Sequence, residues 1–384
     1  MSPADGPGLS YPVDSVPGMD LTATTADLAA AATEVARLLP TRVLDPVLAG
    51  LVLRADGAGV ELAGSDRERA VRLHRPATTH SDGAALVPAK PFADTLRGLD
   101  DPQVRLVVEG SRLAIRTTTA RFALPLLDLA THPGVPGLPP KAGEIPSDVL
   151  EAALVPVASA TSKDDVLPIF TGIRMTGSGD RVELIATDRY RMAYATVPWS
   201  PEGSLNVLAP AALMADVSRL PQHTVVTIHA DEDRIALSWP GGSVSTALLA
   251  APFPDERART LLEAIIDSTV VVEADALAGA VRRATPYSGP HGSVTLHVED
   301  SELRVRGSDP QTGESEESVK ATTEGNRVTK TFQARYLADA LKAFSGRRVE
   351  LRIQDGLRST VLTAPAADDG IELKYLVVPL RTVH

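Results

Sequence analysis

The chain has 384 residues, a formal net charge of −11 and no cysteine. Its length exceeds what one hydrophobic core usually organises, which predicts two or three domains. The missing cysteine excludes disulfides, thiolate nucleophiles and cysteine-based zinc sites, and the acidic charge argues against a surface that grips nucleic acid everywhere.

The first 18 residues, MSPADGPGLSYPVDSVPG, are rich in Pro, Gly and Ser, so they are predicted to form a disordered leader. This segment has neither the basic nor the apolar region of a secretory signal. The rest of the chain lacks an apolar run of about 18 residues, which a membrane span requires. We therefore expect a cytoplasmic protein.

The first folded unit begins near Met19 with the helical pattern TADLAAAATEVARLL. The stretch DPVLAGLVLRADGAGVELAGSDRERAV, from Asp45, then alternates as half-buried antiparallel strands do. A second helix, KPFADTLRGL, precedes the strand pair VRLVVEGSRLAIRT. The Pro- and Gly-rich stretch from His132 to Pro146 is the clearest linker.

The first unit is repeated twice. LPIFTGIRMTGSGDRVELIATDRYRMAY, from Leu167, aligns with the stretch from Asp45, so that Asp66 and Asp188 lie 122 positions apart. A weaker third copy places Asp309 another 121 positions on. The helices repeat with the same period at Asp94, Asp216 and Asp339. These agreeing offsets indicate three similar domains.

Helices segregated beside meandering strands predict an α+β fold, with two helices on antiparallel sheets in each of three repeated domains. The acidic run GESEESV, Gly313 to Val319, is interpreted as a solvated loop. The predicted boundaries are 1–18 for the leader, 19–138 for domain 1, 139–145 for the linker, 146–266 for domain 2 and 267–384 for domain 3.

Basic residues recur towards the ends of all six predicted helices. Cations at helix C-termini complement the macrodipole, which explains any one of them. Their recurrence in an acidic chain favours a shared basic face. The candidates for DNA contact are Arg42, Arg97, Lys163, Arg219, Arg282, Arg283, Lys342 and Arg347.

Motifs for catalysis are missing from the sequence. It contains no phosphate-binding loop, zinc helix or nucleophile elbow. His74 and His80 lack an accompanying carboxylate pattern, so no metal is expected. We therefore predict a non-catalytic protein without cofactors. An enzyme with a site between repeats is kept as a remote alternative.

Four features carry a family resemblance. They are the threefold repeat, the motifs LPIFTGIRM and ATDRYRMA, the motif FPDE after the second unit's strands, and the C-terminal YLVVPLR. Together they resemble bacterial DNA polymerase III β subunits, the sliding clamps, over about Met19 to Arg381. The resemblance implies a head-to-tail homodimer, closed into a ring of six domains around double-stranded DNA. Retention on DNA would be topological, with sequence-independent phosphate contacts.

The resemblance also implies a pocket between domains 2 and 3. Replicative and repair polymerases and the clamp loader would insert short linear peptides there. Apolar walls take up leucine or phenylalanine anchors, while arginines hold peptide carbonyls or a carboxylate. Matched by motif, the pocket comprises Phe170, Gly172, Thr187, Arg189, Tyr190, Arg191, Met192, Pro254, Leu376, Val378, Pro379, Leu380 and Arg381.

Departures from the family pattern, including an unusual N-terminal leader and a divergent third unit, keep an alternative open. Glu256 stands where the family often has an aromatic residue, and the tail continues past Arg381. The alternative is a divergent second clamp of an actinobacterium-like lineage, which tolerates a clamp-directed inhibitor or acts as a decoy.

Overall fold

A computed structural model describes residues 18–40, 45–164, 166–213, 217, 220–263, 266–365 and 370–381. The chain divides into two compact units. The first comprises the chain up to Lys141 together with Val226–Ala247, and the second comprises Ala142–Val225 and Leu248–His384. The predicted leader lies outside the described residues except for Gly18.

Among the described residues, the α-helices lie between runs of consecutive strands. The helices are α1 Thr25–Leu38, α2 Ala89–Arg97, α3 Ser147–Ser159, α4 Asp255–Leu262, α5 Ala274–Ala284 and α6 Ala334–Lys342. The strands are β1 Asp20–Thr24, β2 Gly50–Asp56, β3 Gly59–Ser65, β4 Arg69–Arg75, β5 Ala77–Ser81, β6 Gly83–Pro88, β7 Gln103–Glu109, β8 Arg112–Arg116, β9 Arg121–Pro125, β10 Lys141–Pro146, β11 Gly172–Ser178, β12 Arg181–Thr187, β13 Arg191–Pro198, β14 Ser200–Pro201, β15 Asn206–Pro210, β16 Val225–Ala230, β17 Arg234–Trp239, β18 Gly242–Ala247, β19 Ser268–Glu273, β20 Ser293–Val298, β21 Glu302–Asp309, β22 Gly313–Gly325, β23 Thr329–Gln333, β24 Arg348–Ile353, β25 Thr360–Thr363 and β26 Glu372–Val377.

In its described part, the first unit contains two antiparallel sheets and two α-helices. One sheet has the order β5-β1-β7-β8-β9. The strands that this unit contributes to the other sheet have the order β16-β17-β18-β4-β3-β2-β6. Helices α1 and α2 pack on each other, and α1 also packs on β3 and β4. The alternating strands place their apolar residues in one core with the alanines of α1.

Small residues allow α1 to lie close to the sheet. Its buried face includes Ala29, Ala31 and Ala32. On the facing strand, a Cβ added to Gly64 would stand 2.9 Å from a Val35 methyl group. Because a larger residue at position 64 would push the helix outward, this glycine fixes the distance between helix and sheet.

The second unit is built on a twelve-stranded sheet. Its order is β15-β11-β12-β13-β26-β25-β24-β19-β22-β21-β20-β23. Helix α3 packs on β12 and β13, and helices α5 and α6 pack on each other. The pair β13·β26 is antiparallel, with Met192 opposite Leu376 and Ala193 opposite Tyr375. This pairing brings the C-terminal strand beside the turn that precedes β13.

The structure confirms the α+β class and the repeat. Strands β2 and β3 begin at Gly50 and Gly59, and their counterparts β11 and β12 begin at Gly172 and Arg181, so both pairs are offset by 122 positions. Strands β20 and β21 form the third copy.

The acidic run was wrongly interpreted as a solvated loop, because Gly313–Gly325 forms strand β22 along β21. Its carboxylates are paired rather than mutually repelling: Glu314 pairs with Arg306, and Glu317 with Arg283. Ion pairs with the neighbouring strand β21 and with helix α5 stabilise a strand that composition alone disfavours.

Residues 139–145 were predicted as linker, yet from Lys141 onward they belong to strand β10. This strand pairs with β14, with Gly143 opposite Pro201. The prolines of this segment do not prevent pairing, since Pro139 and Pro140 precede the strand and Pro146 ends it. The folded part of the central repeat therefore starts earlier than expected.

Candidate functional site

A cavity of about 330 Å³ lies in the second unit. Its walls come from four places: the turn between β12 and β13, the short 3₁₀ segment Pro168–Phe170, helix α4 with the preceding proline, and β26 with the tail that follows. The lining residues are Phe170, Thr187, Arg189, Arg191, Met192, Pro254, Arg257, Ala258, Leu261, Leu376 and Val378.

The turn at the cavity mouth is fixed by two short side chains. The Asp188 carboxylate accepts the N–H groups of Tyr190 and Arg191, both at 3.0 Å. The Thr187 hydroxyl accepts the N–H of Arg189 at 3.1 Å and donates to the carbonyl of Arg191 at 2.7 Å. These bonds hold Arg189 at φ 77°, a left-handed conformation that is uncommon for a non-glycine residue.

The first repeat contains the same turn without the cavity lining. Asp66 accepts from Glu68 and Arg69, Ser65 replaces the threonine, and Arg67 has φ 82°. The Asp-Arg-x-Arg frame is therefore a structural element of the repeat. What distinguishes the second copy is the set of side chains that this frame projects.

Arg191 has little freedom to bind a ligand. Its side chain is buried and pairs with the carboxylates of Asp188 and Asp339, and its guanidinium lies 4.7 Å from the centre of the Tyr336 ring. Burial opposes the charge, but the neighbouring Tyr375 hydroxyl and the two carboxylates raise the pKa of Arg191 above its ordinary value. Two carboxylates thus compensate the charge within the protein.

A ladder of rings and guanidinium groups forms the rim of the cavity. Arg189 lies 5.6 Å from the Phe170 ring centre and 5.9 Å from that of Tyr190. Tyr190 stacks on Tyr336, with ring centres 6.0 Å apart and planes 13° apart. Because Tyr190 is 53% exposed, it presents a broad apolar face to an incoming partner.

The cavity floor is apolar. Met192 and Leu376, which lie opposite each other across the β13·β26 pair, are both 2% exposed. They pack with Ile185, Ala258 and Val361 in one cluster, and Val378 lies against it. Met192 therefore serves both as core and as cavity lining, and its flexible thioether suits a floor that receives different side chains.

The structure brings eight of the predicted pocket residues around this cavity. Tyr190 stands at the rim instead. Gly172 is covered, since a Cβ there would lie 2.6 Å from Leu249. Pro379 and Leu380 line a different cavity of the same unit. Arg381 is exposed at the end of the described chain. The eight residues are Phe170, Thr187, Arg189, Arg191, Met192, Pro254, Leu376 and Val378.

Sequence reasoning missed the wall that α4 contributes: Arg257, Ala258 and Leu261. Their spacing of i, i+1 and i+4 places them on one helix face. The helical pattern that follows FPDE could therefore have predicted this wall from the sequence. The helix is anchored from both ends. Asp255 pairs with Arg174 at 3.1 Å, and Arg259 pairs with Glu183 at 2.5 Å.

The predicted DNA contacts differ in their surroundings. Lys163, Arg282 and Lys342 are exposed and form no ion pair within the described ranges. Arg97 pairs with Asp94, Arg283 pairs with Glu317 at 2.6 Å, and Arg347 donates to the carbonyl of Pro365. Arg42 and Arg219 lie outside the described residues. Among the predicted DNA contacts that the structure describes, Lys163, Arg282 and Lys342 are thus the exposed ones whose charge is not paired with a carboxylate of the described chain.

In the described part of the chain, no group of three or more His, Asp and Glu side chains is arranged to hold a metal ion. No described helix is long and apolar enough to cross a membrane.

Comparison with known proteins gives consistent matches along the chain. Models of the DNA polymerase III β subunit match residues 19–136 with its N-terminal domain, 144–255 with its central domain and 259–381 with its C-terminal domain. The β sliding clamp of Streptomyces coelicolor is 30% identical over 366 residues, covering 92% of this chain and 97% of the relative.

Two further similarities are to a clamp homolog and to a solved clamp structure. A β sliding clamp homolog named GriR, from Streptomyces muensis, is 28% identical over 356 residues, covering 90% of this chain and 95% of the relative. A sliding clamp of Pseudomonas aeruginosa bound to griselimycin has the same fold, with a TM-score of 0.88, 23% identity and coverage of 95% and 100% of the two chains.

Proposed function

The chain belongs to the DNA polymerase III β subunit family, and from that premise we propose that it works as a DNA sliding clamp. Two copies form a ring around duplex DNA, and the ring tethers the replicative polymerase and other partners through short peptides. Such a subunit supports processive synthesis without catalysing a reaction.

One observation supports the proposal more than any other: the chain contains two seams of the same kind. A seam is here a pair of strands that joins two successive repeats. In the first unit, β18 pairs with β4, with Thr246 opposite Arg69. In the second unit, β26 pairs with β13, with Val377 opposite Arg191. In both seams, the last strand of one repeat joins the strand that follows the Asp-Arg-x-Arg turn of the preceding repeat.

The same rule leaves one seam to be completed between copies. Strand β9 ends the first repeat and the five-stranded sheet, and its outer edge has no partner strand in the described ranges. The Gly313–Lys320 part of β22 likewise pairs only with β21 there. Joining β9 of one copy to β22 of another extends both sheets and gives a head-to-tail dimer.

Charge distribution supports threading on DNA. A net charge of −11 repels phosphates from most of the surface. Lys163, Arg282 and Lys342 are exposed cations that can contact phosphates. We propose the other predicted cations as weaker contacts, since Arg97 and Arg283 would first exchange a carboxylate partner. Contacts of this kind do not depend on sequence, which suits sliding.

The cavity supports peptide docking. Its floor of Met192, Leu376 and Val378 is suited to apolar anchors, and Tyr190 adds an exposed face at the rim. Arg189 and Arg257 are the cations available to peptide carbonyls or a carboxylate, because Arg191 is already paired.

A loading experiment tests the function. The protein is incubated with a clamp loader, ATP and nicked circular DNA, and the DNA is then linearised. A sliding ring remains on the circle and leaves the linear form. Persistence on linear DNA would indicate ordinary affinity instead, and failure to load with any clamp loader would contradict the proposal.

A second candidate is an inhibitor-tolerant clamp. It is supported by the wall that α4 adds to the cavity, where Arg257 and Leu261 would take space from an inhibitor that enters the peptide pocket. The test is the dissociation constant of griselimycin for this protein and for the S. coelicolor clamp, measured side by side. Equal affinities would rule this candidate out and leave the general clamp function untouched.

A further inference from the structure

A second cavity, of about 860 Å³, lies on the face of strands β20, β21 and β23, apart from the peptide pocket. Its size is within the range of built ligand sites. The lining residues are Ser293, Thr295, His297, Arg306, Ser308, Thr329, Lys330, Thr331, Gly356, Leu357, Pro379 and Leu380.

Two internal supports fix the shape of this cavity. Lys330 is 4% exposed, and its ammonium donates to the carbonyls of Gly356 and Arg358, which holds the loop that presents Leu357. On the other side, the N–H of Leu380 donates to the carbonyl of Thr331 at 2.7 Å and fixes the tail. The cavity is thus preformed, which lowers the entropy cost of binding.

The walls favour an anion. Five lining residues carry hydroxyls, His297 and Arg306 add nitrogen donors, and none of the lining residues is a carboxylate. The Thr295 and Thr331 hydroxyls lie 3.0 Å apart, and His297 Nδ1 lies 2.9 Å from the Thr329 hydroxyl. Arg306 pairs with Glu314 at 3.3 Å, but both side chains are exposed, so an incoming carboxylate can share or replace that partner.

The cavity lies beside the peptide pocket along the tail. Val378 lines the pocket, whereas Pro379 and Leu380 line the second cavity. Two residues of extended chain span at most about 7 Å. A peptide that leaves the pocket along this part of the tail therefore needs only a few more residues to reach the hydroxyl-lined walls.

We propose that this cavity binds an acidic segment of the partner polypeptide whose apolar motif occupies the peptide pocket. The proposal rests on the proposed docking function. The acidic segment supplies carboxylates to Arg306, His297 and the hydroxyls, while Leu357 and Leu380 pack against its aliphatic parts. The cavity thereby selects among partners that share the same apolar anchors.

The test uses fluorescent peptides and the full chain. Each peptide carries the same leucine and phenylalanine anchors, with four aspartates or four serines added at either end. We expect the aspartate extension at one end to tighten binding about fivefold over the serine extension. Arg306→Gln should abolish most of this gain and leave the unextended peptide unaffected. Arg304→Gln is the matched control, because Arg304 lies two positions away on β21 and does not line the cavity.

The outcomes separate the two proposals. Equal affinity of all extensions, or equal loss in both variants, would overturn the acidic-segment site while the pocket stands. If the unextended peptide does not bind, the pocket proposal fails. In that case, hydrogen exchange of the β20 and β23 backbone amides is measured with the aspartate-extended peptide alone. If the peptide does not protect these amides, the acidic-segment site is overturned. Protection by oligo-dT instead of the peptide would assign the cavity to nucleic acid and also overturn it.

Discussion

Asp188 illustrates how one residue serves structure and site together. Its carboxylate accepts two backbone N–H groups and pairs with Arg191, whose side chain is buried. The same bonds orient Arg189 at the rim and place Met192 on the floor. Asp309 makes the corresponding turn in the third repeat, accepting from Gln311 and Thr312, but without a buried arginine.

Asp188→Ala should therefore destabilise the protein by about 2–3 kcal/mol, since it leaves two N–H groups and a buried guanidinium short of a partner. Asp309→Ala should destabilise the protein clearly less, because it removes similar bonds at an exposed turn and leaves no buried charge behind. Urea unfolding of both variants measures the difference. Equal losses would mean that the Arg191 pair contributes nothing to stability.

His132 predicts a pH dependence. It is 5% exposed, its Nε2 is buried without a hydrogen-bond partner among the described residues, and burial lowers its pKa below the ordinary 6.5. Because the unfolded chain takes up a proton more readily, stability is complete above pH 6.5 and falls as the pH drops below it. His132→Phe should flatten the free energy of unfolding between pH 6.5 and 5, measured by urea titration. An unchanged slope would contradict this assignment.

At the scale of elements, helix α4 decides how the pocket is closed. Ala258 packs on the floor cluster, Leu261 lines the cavity, and Thr260 between them points elsewhere. Ion pairs at Asp255 and Arg259 hold the helix on β11 and β12. A short helix with mostly exposed residues owes its position to these tertiary contacts rather than to intrinsic propensity.

Leu261→Glu should weaken binding of an apolar-anchored peptide about tenfold or more, because it places a carboxylate on the apolar wall. Thr260→Glu adds the same charge one position away and should have little effect. Fluorescence anisotropy with one labelled peptide compares them. Equal weakening by both variants would indicate a general charge effect and exclude α4 as a pocket wall.

At the scale of the whole molecule, the two internal seams predict the intermolecular one. Strand β9 exposes Phe122, whose side chain is 41% accessible, and β22 offers a long edge next to it in the proposed dimer. Arg121 begins β9 and pairs with Glu109, while Glu314 and Glu316 of β22 pair with Arg306 and Arg304. Because these charges are already paired within one copy, the exposed Phe122 ring is the feature of β9 that a contact between copies would bury.

Phe122→Asp should raise the dimer dissociation constant at least about tenfold, because it adds an unpaired carboxylate at the seam. Leu138→Asp changes a similarly exposed apolar residue that lies on no strand edge. It should leave the dimer intact. Sedimentation equilibrium at micromolar concentration measures both. A dimeric Phe122→Asp variant would contradict the β9–β22 junction.

The sequence by itself determined the repeat, the α+β class and most of the strands, because period-two alternation and a fixed offset are local properties of the chain. It also placed Phe170, Thr187 and Met192 in one site through a motif. It did not determine the state of Arg191, whose partner Asp339 lies 148 positions away. Nor did it reveal the strand in GESEESV or the α4 wall. Those features depend on cross-strand ion pairs and on packing between distant segments, which only the tertiary structure supplies.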